Sequence, residues 1–123
     1  MTRDPLAPFD DDVFAAVARA HDVPEAALRD LVRRHQELVR RLPGVDDIVY
    51  EWRNAFPNDP VIERRPDVYY LSVAGTVWPE YAASLGLGDR EAAALQAVHR
   101  RQLDTSVGGL PTDDRGAMVL TRE

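Results

Sequence analysis

Between Pro24 and Gly44 apolar side chains fall at Leu28, Leu31, Val32, Leu38, Val39 and Leu42, with His35 in the same row. This is the period of about 3.6 residues that belongs to a helix with one buried face. No other stretch limits the fold so tightly. Pro24 suits the start of such a helix, where an amide hydrogen would go unused, and Pro43-Gly44 ends it. The opposite face carries Glu25 and Arg29, Asp30 and Arg34, Glu37 and Arg41, each an acid four residues before a base, the favoured order on a helix surface. A helix with such a stripe must be covered, so the rest of the chain has to supply its partners.

Residues 1–9 read as an extended lead-in broken by Pro5 and Pro8. Asp10, Asp11 and Asp12 then open a first helix, where carboxylates favour the helix dipole and can cap free amides. Its apolar side is Phe14, Val17 and Ala18, with His21 near its end. Asp46 and Asp47 begin a third helix, lined by Ile48, Val49, Trp52, Ala55 and Phe56 and closed by Pro57 to Pro60. After that the period changes. Val61–Arg64 and Val68–Ala74 flank Arg65-Pro66-Asp67, which predicts a β-hairpin. In its second strand Tyr69, Leu71 and Val73 share one face, and Val68, Tyr70 and Ser72 the other.

Thr76 offers an N-cap for a short helix bearing Trp78, Tyr81, Ala82 and Leu85 and closed by Gly86. Asp89 does the same for a last helix to about Leu103, with Ala92, Leu95, Val98 and His99 on its inner side. Residues 104–115 contain Gly108-Gly109 and Pro111 and read as a loop. Ala117 to Thr121 reads either as a short strand that joins the sheet or as a free end. The expectation is an α+β fold, predominantly helical: three N-terminal helices, a β-hairpin, then two helices. The single globular domain spans residues 9–104, and 105–123 form a loop or tail whose 117–121 can be a strand.

Composition narrows the chemistry. All 15 basic residues are arginine, aspartate outnumbers glutamate 14 to 7, and there is no cysteine. Without cysteine there is no disulfide scaffold, thiolate zinc site or cysteine nucleophile. Without lysine there is no Schiff base and no phosphate-loop lysine. His21, His35 and His99 show no metal-ligand spacing. On its apolar stripe His35 is expected to be half-buried, with one nitrogen satisfied; Arg100 and Arg101 are expected to discourage protonation of His99. Ser72, Thr76 and Ser84 lack a nucleophile elbow. The reading is therefore of a non-enzyme, without metal or cofactor. No apolar run approaches about 18 residues, and no signal-peptide pattern opens the sequence, so a soluble, cytoplasmic protein is expected.

The Lys-free, Asp-rich surface has two readings. Arginine pairs bidentately with carboxylates, and such a surface stays hydrated in abundant salt; GC-rich coding also trades lysine for arginine. With the stretch from Gly44 to Arg53, this composition resembles small proteins common in haloarchaea, a resemblance that carries over no activity and no functional residue. Residues 10–40, with Ala18, Val23 and Leu28 at packing positions, resemble a helix-turn-helix, and three helices before a hairpin are similar to a winged helix. That likeness implies DNA binding, with Arg29, Arg33, Arg34, Arg40 and Arg41 as the contacts, although each arginine cluster has acids one turn away. The leading expectation is a protein-interaction domain, binding an unknown protein or a second copy of itself through an uncovered sheet face at Val68, Tyr70 and Trp78.

Overall fold

The computed structural model describes residues 3–109 and 115–123. Helices α1 (Asp11–His21), α2 (Glu25–Arg41) and α3 (Val45–Ala55) precede strands β1 (Val61–Arg64) and β2 (Val68–Ala74). Helices α4 (Val77–Leu85) and α5 (Asp89–Val107) follow, and strand β3 (Arg115–Thr121) completes a three-stranded sheet. The α+β order matches the periodicities.

Most of the stripe of α2 is buried as its spacing requires: Leu28, Leu31, Val32, His35 and Val39 are covered and Leu38 is half-buried, but Leu42, just past the helix end, is 68% exposed. Its outer face is less paired than the sequence invites. Glu25 approaches Arg29 at 3.9 Å, but Arg29 donates a shorter bond, 2.9 Å, to Asp11, and Arg34 turns to the carbonyl of Leu85. The acidic triplet also departs from expectation. Asp10 makes no side-chain cap on α1. Instead its amide donates to Gln102 Oε1 at 2.8 Å, and its carboxylate accepts from Gln102 Nε2, which ties the start of α1 to α5.

The sheet is antiparallel throughout, in the order β1-β2-β3. β2 is its middle strand, and side chains on both of its faces are covered. Helix α5 lies along β3 and meets α1 and α2 on its other sides. The expected tail is integral to the fold: α5 continues to Val107, and Ala117, Met118, Val119, Leu120 and Thr121 are all buried. A strand that supplies five buried residues to the core cannot be a free end. Of the loop expected over residues 104–115, Asp104 to Val107 belong to α5, Arg115 begins β3, and 110–114 fall outside the described residues. No helix among the described residues is long and apolar enough to cross a membrane.

Candidate functional site

The two edges of the sheet are treated differently, and between them they account for the polar groups that matter. The outer edge of β3 faces into the protein. A buried strand edge leaves main-chain groups that need partners, and here three helices provide them. Trp78 Nε1 on α4 donates to the carbonyl of Ala117 at 3.0 Å. His99 Nδ1 on α5 accepts from the amide of Val119 at 3.0 Å. Gln36 on α2 takes both neighbours, donating to Val119 O at 2.8 Å and accepting from Thr121 N at 2.9 Å. These side chains stand where a fourth strand would be. Gln36 belongs to the buried side of α2, only 1% exposed, although its residue type places it on the polar face.

His99 packs with His35 in an aromatic cluster. Their ring centroids are 5.2 Å apart and nearly perpendicular, and Trp78 lies 4.8 Å from His35 and 4.7 Å from His99. Tyr81 meets His35 edge-on at 4.7 Å, and Phe9 meets His99 at 5.2 Å. His35 is more buried than its place on the stripe implies: it is fully covered, and neither nitrogen has a hydrogen-bond partner among the described residues. Burial holds its pKa down at about 3. The pKa of His99 is likewise held well below the usual value, by burial first and by His35 second, and not by the arginines that follow it in sequence. The pair makes a poor metal site. Because His99 Nδ1 accepts a hydrogen bond, its Nε2 carries the proton of the neutral ring. A metal there would force Nδ1–H against the amide of Val119.

The residues expected to form an uncovered face lie inside this packing. Val68 and Tyr70 are 2% exposed and Trp78 is 3% exposed, so none offers a docking surface. Both faces of β2 are covered, and the Arg65 guanidinium lies 4.8 Å from the ring of Tyr70. The five arginines proposed for nucleic acid do not converge. Arg29 is held by Asp11 and stacks on Phe14, Arg34 caps Leu85, and Arg40 is half-buried beside Gly44 and Glu123. Arg33 and Arg41 are exposed, with Glu37 one turn from each.

The outer edge of β1 faces the other way, toward solvent. Beside it a cleft of about 480 Å³ opens between α3 and the sheet, lined by Tyr50, Arg53, Arg64, Tyr69, Arg122 and the carboxylates of Asp46 and Asp59, among others. A β-bulge creates part of its lining. Val61 is registered with Leu71 and Arg64 with Tyr69, with the irregularity falling between Val61 and Glu63. The extra residue brings Val61 and Arg64 to the same side as Tyr69 and Leu71, in front of α3, which strict alternation would not do.

Both carboxylates in the cleft are already engaged. Tyr69 donates its hydroxyl to Asp46 Oδ1 at 2.7 Å, and the Arg122 guanidinium lies 3.7 Å from the same oxygen and 4.9 Å from the Tyr69 ring. Burial, then the Asp46 bond, pushes the Tyr69 pKa up, so this phenol stays protonated. Asp59 accepts from the amide of Val61 at 3.0 Å and faces Arg53 at 3.7 Å. Arg64 has no ion-pair partner among the described residues. Tyr50 is 69% exposed, the most exposed large apolar side chain described, and Ile62 on β1 is 43% exposed.

A family model described as Domain of unknown function (DUF8048) matches residues 7–122. The chain belongs to this family. No curated protein and no solved structure matches it. The matched residues of this family member run from the lead-in through β3, so they include both sheet edges and every residue of the cleft. The sequence alone singled out none of the cleft. Its one readable signal was Tyr50, which falls off the apolar stripe of α3 and one turn before Arg53.

Proposed function

We propose that this protein is a non-catalytic protein-interaction domain, and that its docking surface is the cleft between α3 and β1. The observation that carries this reading is an open aromatic side chain beside two arginines: Arg64, which has no ion-pair partner among the described residues, and Arg53, which faces Asp59 at 3.7 Å. Tyr50 stands at 69% exposure in a cleft shared with Arg53 and Arg64. Tyrosine and arginine dominate binding energy at protein interfaces, because each combines a large contact area with directional hydrogen bonding. An isolated protein gains little from leaving such a residue in water.

The DNA-binding reading has weaker support. The arginines of α2 that remain exposed alternate with Glu37, and the hairpin's second strand is buried on both faces, whereas a wing that reaches a groove stands free. Phosphate contacts need a continuous positive surface to release counterions.

The test is a tagged pull-down with and without nuclease, run with wild type, Tyr50→Ser and the double variant Arg33→Ser/Arg41→Ser. The expected result is a protein retained through nuclease treatment, lost with Tyr50→Ser and kept with the double variant. Capture that depends on nucleic acid and on Arg33 and Arg41 would transfer the function to DNA binding. Capture indifferent to Tyr50 would move the docking surface elsewhere.

A further inference from the structure

The chemistry of the partner follows from the shape of the cleft's rim, if the docking surface lies there. The amide of Arg65 donates to Val68 O at 2.9 Å, and Glu63 is registered with Tyr70. In an antiparallel ladder the main-chain groups alternate in direction. Those of Glu63 and Arg65 therefore face β2, and the N–H and C=O of Arg64 face outward. Strand β1 is the last in the sheet on this side, so its outer edge is a template for one more strand. Ile62 is part of that edge and half-exposed.

The side chains beside the edge choose the sign of what pairs there. The chain as a whole carries a net charge of −6, so an acidic partner is repelled over most of its surface. The cleft reverses this: it holds Arg53, Arg64 and Arg122 against Asp46 and Asp59. Arg122 is committed to Asp46 and to the carbonyl of Arg65, which leaves Arg64 unpaired among the described residues to meet an incoming anion, with Arg53 on the cleft's other wall held only by its exposed pair with Asp59 at 3.7 Å. Arginine in a partly walled site forms charge-assisted pairs with carboxylates.

We propose that the cleft takes an acidic, extended polypeptide segment, which adds to β1 as a fourth strand and places a carboxylate on Arg64 and Arg53 while an apolar side chain packs on Tyr50. The bulge and the shortness of β1 fit this. They discourage indiscriminate edge-to-edge pairing, a standing hazard of open strands, so only a segment that also satisfies the cleft's charge is held. Two copies of this chain pairing through β1 would bring Arg64 and Glu63 of each together without filling either cleft, so a second copy is the weaker occupant.

The probe is a short synthetic peptide of alternating valine and aspartate, titrated into the full-length, isotope-labelled protein, with the valine and lysine counterpart as control. The readout is amide shift and amide exchange across β1. The expected result is that the aspartate peptide shifts Ile62, Glu63 and Arg64, slows exchange of the Arg64 amide and perturbs the Tyr50 ring. The lysine peptide should leave all of these unmoved. Arg64→Glu should weaken the aspartate peptide at least about tenfold, as loss and reversal of one close charge pair would, with Arg33→Glu as the surface control. Equal effects of both peptides, or no slowing at Arg64, would overturn strand addition. So would a concentration-dependent dimer that protects β1 with no peptide present. If Tyr50→Ser abolishes partner capture in the pull-down while β1 stays unprotected, the interaction reading stands and this inference alone fails.

Discussion

One sheet has two edges, and the molecule handles them in opposite ways. At β3 the edge is buried, and side chains from three helices, Trp78, His99 and Gln36, meet the carbonyl of Ala117, both main-chain groups of Val119 and the amide of Thr121. At β1 the edge is left to solvent and given only a bulge and a charge. The contrast teaches that polar residues on helices are not always surface. Where a helix covers a strand edge, its polar side chain can be as deep as any leucine. On the proposed function it also separates stability from binding: changes at the β3 edge should destabilise the protein, and changes at the β1 edge should leave it folded but unable to bind.

The largest expected effect is at Gln36. Gln36→Leu keeps the volume but orphans the carbonyl of Val119 and the amide of Thr121, each of which costs about 1–3 kcal/mol when buried without a partner. A loss of roughly 2–5 kcal/mol in denaturant unfolding is expected, and a loss below about 0.5 kcal/mol would mean that β3 does not depend on α2 for its edge.

Acid should come next. His35, with a folded-state pKa of about 3 against an ordinary 6.5, binds a proton more readily when unfolded. Its contribution is therefore complete above the unfolded value and is lost as pH falls from there toward the folded one, at up to about 1.4 kcal/mol per unit. His99 is shifted in the same direction and adds to the loss. The slope of stability against pH between roughly pH 6.5 and 5 should be visibly shallower in His35→Phe than in wild type. Identical slopes would show that burial does not keep the His35 imidazole neutral.

Gly116→Ala is expected to cost about 1–3 kcal/mol by overpacking. The new methyl would lie 2.8 Å from Trp78 Cδ1 and 3.4 Å from Val73 Cγ2, and both side chains are buried. Trp78 fluorescence and thermal unfolding would report it. The smallest effect should be at the other edge. Ile62→Asp is expected to change stability by less than about 0.5 kcal/mol, since the side chain is already 43% exposed. It should nevertheless abolish binding of the valine and aspartate peptide. A large loss of stability would erase the distinction between the two edges.

The same distinction explains what the sequence could disclose. Helical and strand periods are local, so α2, the hairpin and the element order were legible from spacing alone. The caps were less so: Asp10 turned from its own helix to Gln102 because a partner 92 residues away was within reach. Val68, Tyr70 and Trp78 looked like an available face because periodicity tells which residues share a side, not what covers it. Gln36 carried no signal, since an edge-capping role depends on β3, 83 residues onward. The cleft was hidden for a related reason. Its arginines come from α3, β1 and the residue just after β3, and Arg64 reaches it only because a bulge breaks alternation. The exposed aromatic at position 50 was the part a sequence could have flagged.

The dependence of the helices on β3 also sets an order of events during synthesis. Thr121 binds the carbonyl of Pro5 and the side chain of Gln36, over separations of 116 and 85 residues. A ribosome releases α1, α2, α4 and α5 before the strand whose edge they serve has been made. Until then the seam between α2 and α5 has no sheet to close on, and Gln36 and His99 have nothing to hold. Contacts of such long range defer cooperative folding. The growing chain must therefore carry its apolar seams uncovered until nearly all of the domain has emerged.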